Sequence, residues 1–151
     1  MILLKNIEKH EFDLFHEMAL DYFRELDNNF YPTDKWESFI EGCIKLPKIS
    51  NTFSLGVYLK NELIGFFILE TNSLNLSGTK RCKLVHFFIV RENRKKGYGS
   101  LALKNLKTMV KKNDVKELEI EVMVNNLEAF NFWKNKHSFK PHSQKLRYKV
   151  L

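Results

Sequence analysis

Arg94-Lys95-Lys96-Gly97-Tyr98-Gly99 lies between an apolar run, Leu84-Val85-His86-Phe87-Phe88-Ile89-Val90, and a helical pattern of Leu101, Leu103, Leu106, Met109 and Val110. A strand that enters a helix through a short basic loop has the layout of an anion cradle. The first amides of a helix lack intrahelical partners and point outward, and the macrodipole adds roughly half a positive charge there. Gly97 and Gly99 are expected to let a phosphate approach the backbone with no Cβ in the way.

Working outward from this loop, the pattern is mixed α and β. Residues 2–7 read as a strand. Residues 10–27 read as a helix, with Phe12, Phe15, Ala19, Tyr22, Phe23 and Leu26 on one face. Pro32-Thr33-Asp34 breaks the chain and caps a second helix over residues 35–46, which Pro47 ends. Strands over 53–59 and 63–70 are joined at Lys60-Asn61-Glu62, and a polar loop over 71–79 leads to a long strand over 80–90. After the cradle helix come a strand over 117–124, a helix from about 126 to 136 and a last strand over 145–150. With no internal repeat and no linker-like stretch, one domain over residues 1–151 is expected.

The composition suits such a domain. The chain has 151 residues, 44% of them hydrophobic and 13 of them Phe, enough to bury a real core. No apolar stretch approaches the roughly 18–20 residues of a membrane span, and Met1-Ile2-Leu3-Leu4-Lys5 turns polar too soon for a signal peptide. A cytoplasmic protein without a membrane partner is expected. Cys43 and Cys82 lack metal-ligand spacing, so reduced structural thiols and no metal are expected. The net charge of +7 is unevenly distributed. Residues 8–41 carry ten acidic side chains against Lys9, Arg24 and Lys35, whereas residues 42–151 carry 21 basic and 8 acidic ones. That division suits an anionic donor and a cationic acceptor.

The loop also resembles a known family. Arg94, Gly97 and Gly99 match the [Gln/Arg]-x-x-Gly-x-[Gly/Ala] pyrophosphate motif of the GNAT family of acetyl-CoA-dependent N-acetyltransferases. Asn126-Leu127-Glu128-Ala129-Phe130-Asn131-Phe132-Trp133 resembles that family's Asn-x-x-Ala-x-x-[Leu/Phe]-[Tyr/Trp] segment, and Phe139 follows where a Gly-Phe pair usually ends the helix. The hairpin, with Gly65 after two apolar residues, is similar to the family's second and third strands. The resemblance implies an α/β (α+β) fold: a mixed, mostly antiparallel sheet of six to seven strands flanked by about four helices, splayed between the fourth and fifth strands. It implies acetyl-CoA as donor, a monomer or homodimer, and no nucleic-acid partner. Backbone groups of Phe87, Phe88 and Ile89 would pair with the pantetheine amides, and the amides of Lys95, Lys96, Gly97, Tyr98, Gly99 and Ser100 would hold the pyrophosphate. Asn126 has two readings, a bond to the pantetheine arm or a helix N-cap.

Acyl transfer to an amine needs a proton acceptor, a polarised carbonyl and a departing thiolate. Several relatives that acetylate ribosomal-protein N-termini carry a glutamate where Glu121 stands. A cleft-facing carboxylate there, beside Phe87 and Phe88, would have a raised pKa and accept a proton through water; the alternative is a solvated strand face paired with lysines. His86 is the second candidate base, and a packed core histidine is the alternative. The family's tyrosine near the departing sulfur is Trp133 here. An indole N–H donates a hydrogen bond but is not a practical proton source, which leaves Tyr31, Tyr98 and Tyr148 as substitutes or a thiolate that departs unaided. His137-Ser138-Phe139 also departs from the usual Gly-Phe. On the acceptor side, Asp13, Glu17, Asp21 and Glu25 recur at i, i+4. Such like charges repel by about 0.2–0.5 kcal/mol per pair, so a bound cation or a merely solvated face would explain them. Asp21, Glu25 and Tyr31 are the expected acceptor contacts. Two other classes compete: a silent acyl-CoA-binding domain, favoured by the missing tyrosine, and a nucleic-acid module built on Lys104, Lys107, Lys111 and Lys112, for which no recognised motif appears.

Overall fold

The computed structural model describes residues 1–44, 52–74 and 78–150. The chain divides into two compact units, Met1–Ile120 and Glu121–Leu151. The first unit carries a five-stranded sheet in the order β1-β2-β3-β4-β5, with β1 Ile2–Lys5, β2 Thr52–Leu59, β3 Glu62–Leu74, β4 Lys80–Ile89 and β5 Glu117–Ile120. Its helices are α1 Phe12–Leu26, α2 Lys35–Ile44 and α3 Tyr98–Lys112. The expected ends of the second helix, residues 45 and 46, and part of the loop over 71–79 lie outside the described residues. The described part of that loop extends β3 to Leu74.

Antiparallel ladders join β1 to β2, β2 to β3 and β3 to β4, and β5 lies parallel to β4. The β2–β3 turn is tight because Lys60 and Asn61 both take left-handed conformations, φ 49 and 69, as a two-residue hairpin turn requires. Gly65 is there for clearance: a Cβ would run into the Phe88 carbonyl oxygen.

The β3–β4 register slips between Ile68, opposite His86, and Leu69, opposite Leu84, which leaves Val85 as an extra residue in β4. Such a bulge bends and twists its strand. The β4–β5 ladder ends at that level, at Leu84 and Ile120, while β4 runs on to Ile89. The two strands therefore part where the family resemblance expects a splay.

The core lies on both faces of the sheet. Phe15, Met18 and Ala19 of α1 and Trp36, Ile40 and Cys43 of α2 pack with Tyr58, Phe66, Ile68 and Phe88. Alternation along the strands sends Phe67 and Phe87, stacked at 4.4 Å, to the opposite face, where α3 buries Ala102, Leu103 and Leu106. Cys43 and Cys82 are free thiols, and burial pushes the pKa of each up to about 11, which makes them inert at neutral pH.

Three sequence expectations are corrected. The described sheet has five strands rather than six to seven. The strand expected over 117–124 stops at Ile120, because β4 bends away at its bulge. Residues 145–150 alternate like a strand, yet they join no ladder among the described residues, and Leu146, Tyr148 and Val150 are exposed. A period of two identifies a chain able to pair but does not supply its partner.

In the second unit, α4 Leu127–Asn131 is followed by a single π-type turn, Phe132–Lys136. The two together span the helix expected from about 126 to 136, but its second half is less regular than the pattern suggested. Beyond His137, Ser138 takes a left-handed φ of 63 at the position of the family's glycine, and the Phe139 N–H closes the turn on the Trp133 carbonyl at 2.9 Å.

Candidate active site

The loop between β4 and α3 is built around two left-handed residues. A 3₁₀ turn, Arg91–Asn93, leads to Arg94; Lys95 then takes φ 58 and Gly97 φ 82. Gly97 is the residue before the helix, and its carbonyl accepts the Leu101 N–H at 3.1 Å. The amides of Tyr98, Gly99 and Ser100 therefore precede the first intrahelical bond. No side chain caps this end, and no acidic residue lies in the first turn. A 15-residue helix with an uncapped, basic N-terminus fits a phosphate group. A Cβ on Gly97 would meet nothing within 4 Å, so the cradle is open there. At Gly99 a Cβ would face the Phe87 ring at 3.5 Å, an ordinary contact that leaves room for alanine at this position.

His86 lies on the α1 side of β4, next to the bulge. Its Nδ1 is 3.1 Å from the Tyr22 hydroxyl, and the rings of Tyr22, Phe23 and Phe39 surround it at 5.3, 5.0 and 6.3 Å. Burial lowers its pKa to about 4, and burial with the nearby Glu25 charge raises that of Tyr22 to about 12. Tyr22 thus keeps its proton and donates to a neutral imidazole.

Glu121 lies outside β5 and begins the second unit. Its side chain is 55% exposed and pairs with Lys145 at 2.9 Å. Asn126 caps α4, its side-chain oxygen accepting the Ala129 N–H at 3.1 Å. Trp133 is buried edge-on against Phe132 and Phe139. Tyr98 is half-buried, whereas Tyr31 and Tyr148 are exposed.

Three members of the acidic series, Glu17, Asp21 and Glu25, line an open cleft of about 1070 Å³ with Glu62, Glu92, Arg24, Arg91, Arg94 and Phe88. Tyr31 is not part of that lining. Glu25 is already engaged: Arg94 Nη2 donates to both its oxygens at 3.0 Å, and Arg91 Nε donates at 2.9 Å. Sequence reasoning missed Arg91 and this network, because nothing local to Glu25 signals a partner 69 positions away. It placed Tyr22 on the core face of the first helix but did not foresee its bond to His86. Three potential metal ligands among the described residues, Glu8, His10 and Glu11, meet before α1, where Glu8 pairs with Lys5 and Glu11 accepts the Tyr58 hydroxyl.

The acetyltransferase (GNAT) family model matches residues 12–139. Among characterised sequences, the chain is 24% identical to N-alpha-acetyltransferase 60 of Xenopus tropicalis, over 87% of this chain and 60% of that protein, so it spans less than two thirds of that relative's length. The fold matches a possible acetyltransferase from Clostridium difficile 630 with TM-score 0.81 at 10% identity, over 100% of this chain and 99% of that one. It also matches the PaiA N-acetyltransferase of Thermoplasma acidophilum, solved with coenzyme A, with TM-score 0.69 at 19% identity, over 96% and 93% of the two chains. The family match runs through the bulged strand, the uncapped cradle and the Asn126–Trp133 segment alike, and the chain belongs to the GNAT family of acetyltransferases.

Proposed function

We propose that this protein is an N-acetyltransferase that moves the acetyl group of acetyl-CoA to a cationic primary amine, by direct attack in a ternary complex. The observation that carries the reading is the cradle: an uncapped helix N-terminus, reached through left-handed Lys95 and Gly97, at the position of the family's pyrophosphate motif. In this reading the two compact units act as one acetyltransferase domain.

Acetyl-CoA supplies an activated thioester carbonyl when bound. The amides of residues 95–100 hold its phosphates, with Lys95 and Lys96 adding exposed positive charge. Backbone groups of Phe87, Phe88 and Ile89, past the level where the β5 ladder ends, would pair with the pantetheine amides. Asn126 spends its side-chain oxygen on the helix cap, which leaves its amide N–H₂ to meet the arm. Trp133 packs at the base of the same segment.

Glu121 is the first candidate for the proton acceptor, working through water. His86 is the second, and its burial makes it a weak base at neutral pH. The thiolate departs with little assistance, since a thiol of pKa about 8.5 is a fair leaving group. On the acceptor side, Glu17 and Asp21 give the cleft its attraction for a cation, while Glu25, expected there from the sequence, is engaged by two arginines.

A second reading, a peptide N-terminus as acceptor, is favoured by the similarity to N-alpha-acetyltransferase 60. A silent acyl-CoA-binding domain is favoured by Trp133 in place of tyrosine. A turnover screen with acetyl-CoA against polyamines, aminoglycosides, amino acids and N-terminal peptides tests all three. Acetylation of cationic small amines supports the proposal, preference for peptides selects the second reading, and CoA binding without turnover selects the third.

A further inference from the structure

Glu25 ends the acidic series of α1, yet its carboxylate faces the segment that enters the cradle. Arg94 Nη2 donates to both carboxylate oxygens at 3.0 Å, and Arg94 Nε donates to the Ile89 carbonyl at 2.6 Å. One guanidinium thus joins the last turn of α1 to the last residue of β4, and it sits 5.1 Å from the centre of the Phe88 ring. Arg91 adds a second donor to Glu25 at 2.9 Å, but its side chain is 78% exposed and the pair contributes little. The Arg94 pair is better sheltered, with Glu25 24% and Arg94 36% exposed. Hydrogen bonds between ionised partners are the stronger kind and restrict geometry. The residue after Arg94 is Lys95, where the left-handed path that aims the α3 amides begins.

We propose that Glu25 is a positioning residue for acetyl-CoA: through Arg94 it fixes where the cradle loop leaves β4, and so where the amides of α3 point. The proposal rests on the acetyl-CoA reading of that loop. It also assigns the Arg94 side chain to the loop's anchorage, leaving the phosphates to the backbone. Arg94 and Glu25 then act as one unit, and removing either partner has the same consequence.

Calorimetric titration of CoA into the wild type, E25Q, R94Q and the double variant tests this, with steady-state kinetics on any accepted amine. E25Q should raise the Kd for CoA and the KM for acetyl-CoA about tenfold, the scale of one charge-assisted hydrogen bond, with kcat at saturating donor unchanged. R94Q should do the same, and the double variant should be no worse than R94Q alone. E25D, which keeps the charge on a shorter arm, should recover part of the affinity and reads the same effect if E25Q does not fold. Unchanged or tighter CoA binding by E25Q would overturn the proposal while the cradle stands, as would additive losses in the double variant. A raised acceptor KM with unchanged CoA affinity would return Glu25 to the acceptor side. A wild type that binds no CoA would overturn the acetyl-CoA reading itself, and this proposal with it.

Discussion

Burial among Tyr22, Phe23 and Phe39 holds His86 neutral, with its pKa pushed down to about 4, whereas the same ring in an unfolded chain protonates near pH 6.5. The unfolded state therefore binds a proton that the fold refuses, and stability falls as pH drops through this window and levels off below it. Two and a half pH units correspond to at most roughly 3 kcal/mol. His86→Gln should flatten that stretch of the profile, which denaturant unfolding at pH 7, 5.5 and 4.5 would show; equal losses in wild type and variant would place the acid sensitivity elsewhere. The same pKa bears on catalysis, because a base that titrates near 4 leaves no inflection in rate between pH 6 and 9. Glu121→Gln is the complementary probe. If Glu121 relays the acceptor proton, the variant should lose about 10²-fold or more in kcat, with CoA affinity unchanged. Full activity in Glu121→Gln, together with a rate that rises only through pH 4, would shift the role to His86.

The cradle is the element most legible in the sequence, since its basic and glycine residues follow one another from Arg94 to Gly99. Gly97 sits at φ 82, a conformation that costs an L residue roughly 1–2 kcal/mol. Gly97→Val should therefore weaken CoA binding at least tenfold and lower the Tm by a few degrees, while Gly99→Ala should keep near-wild-type affinity, because its new Cβ meets Phe87 at an ordinary 3.5 Å. Titration calorimetry and thermal melts on both would decide it; Gly99→Ala losing CoA while Gly97→Val keeps it would reverse the assignment. Other elements were legible only in part. The helix read over 10–27 and the hairpin read over 53–59 and 63–70 follow from local period and turn residues, whereas the run of β3 on to Leu74 does not. The end of β5 was not legible, since it depends on the bulge at Val85, and a bulge shows only when the opposing strand is in register. Residues 145–150 misled for a related reason: alternation records which side chains would face a core, not whether a neighbouring strand is present. The Glu25–Arg94 pair lies between elements 69 positions apart, where periodicity carries no information.

Across the whole chain, ten of the 18 acidic side chains fall within residues 8–41, and the basic excess falls in the remainder. The fold divides this acidic series into paired and unpaired carboxylates, which the sequence alone does not separate. Glu25 turns its charge onto Arg91 and Arg94, whereas Glu17 and Asp21 line the same cleft with no ion pair among the described residues. Donor and acceptor effects should therefore separate by residue. Asp21→Asn with Glu17→Gln should raise the acceptor KM several-fold and leave the acetyl-CoA KM alone, and Glu25→Gln should do the reverse. Attraction across a solvated cleft acts over the Debye length, about 8 Å at 0.15 M salt and about 3 Å at 1 M. The acceptor KM of the wild type should thus rise with salt, and that of the Asp21→Asn, Glu17→Gln variant should rise less. Steady-state kinetics at both ionic strengths measures this directly. An acceptor KM indifferent to salt and to both substitutions would mean that the carboxylates only solvate the outer face of α1, and would favour an acceptor recognised by its backbone, as a peptide N-terminus would be.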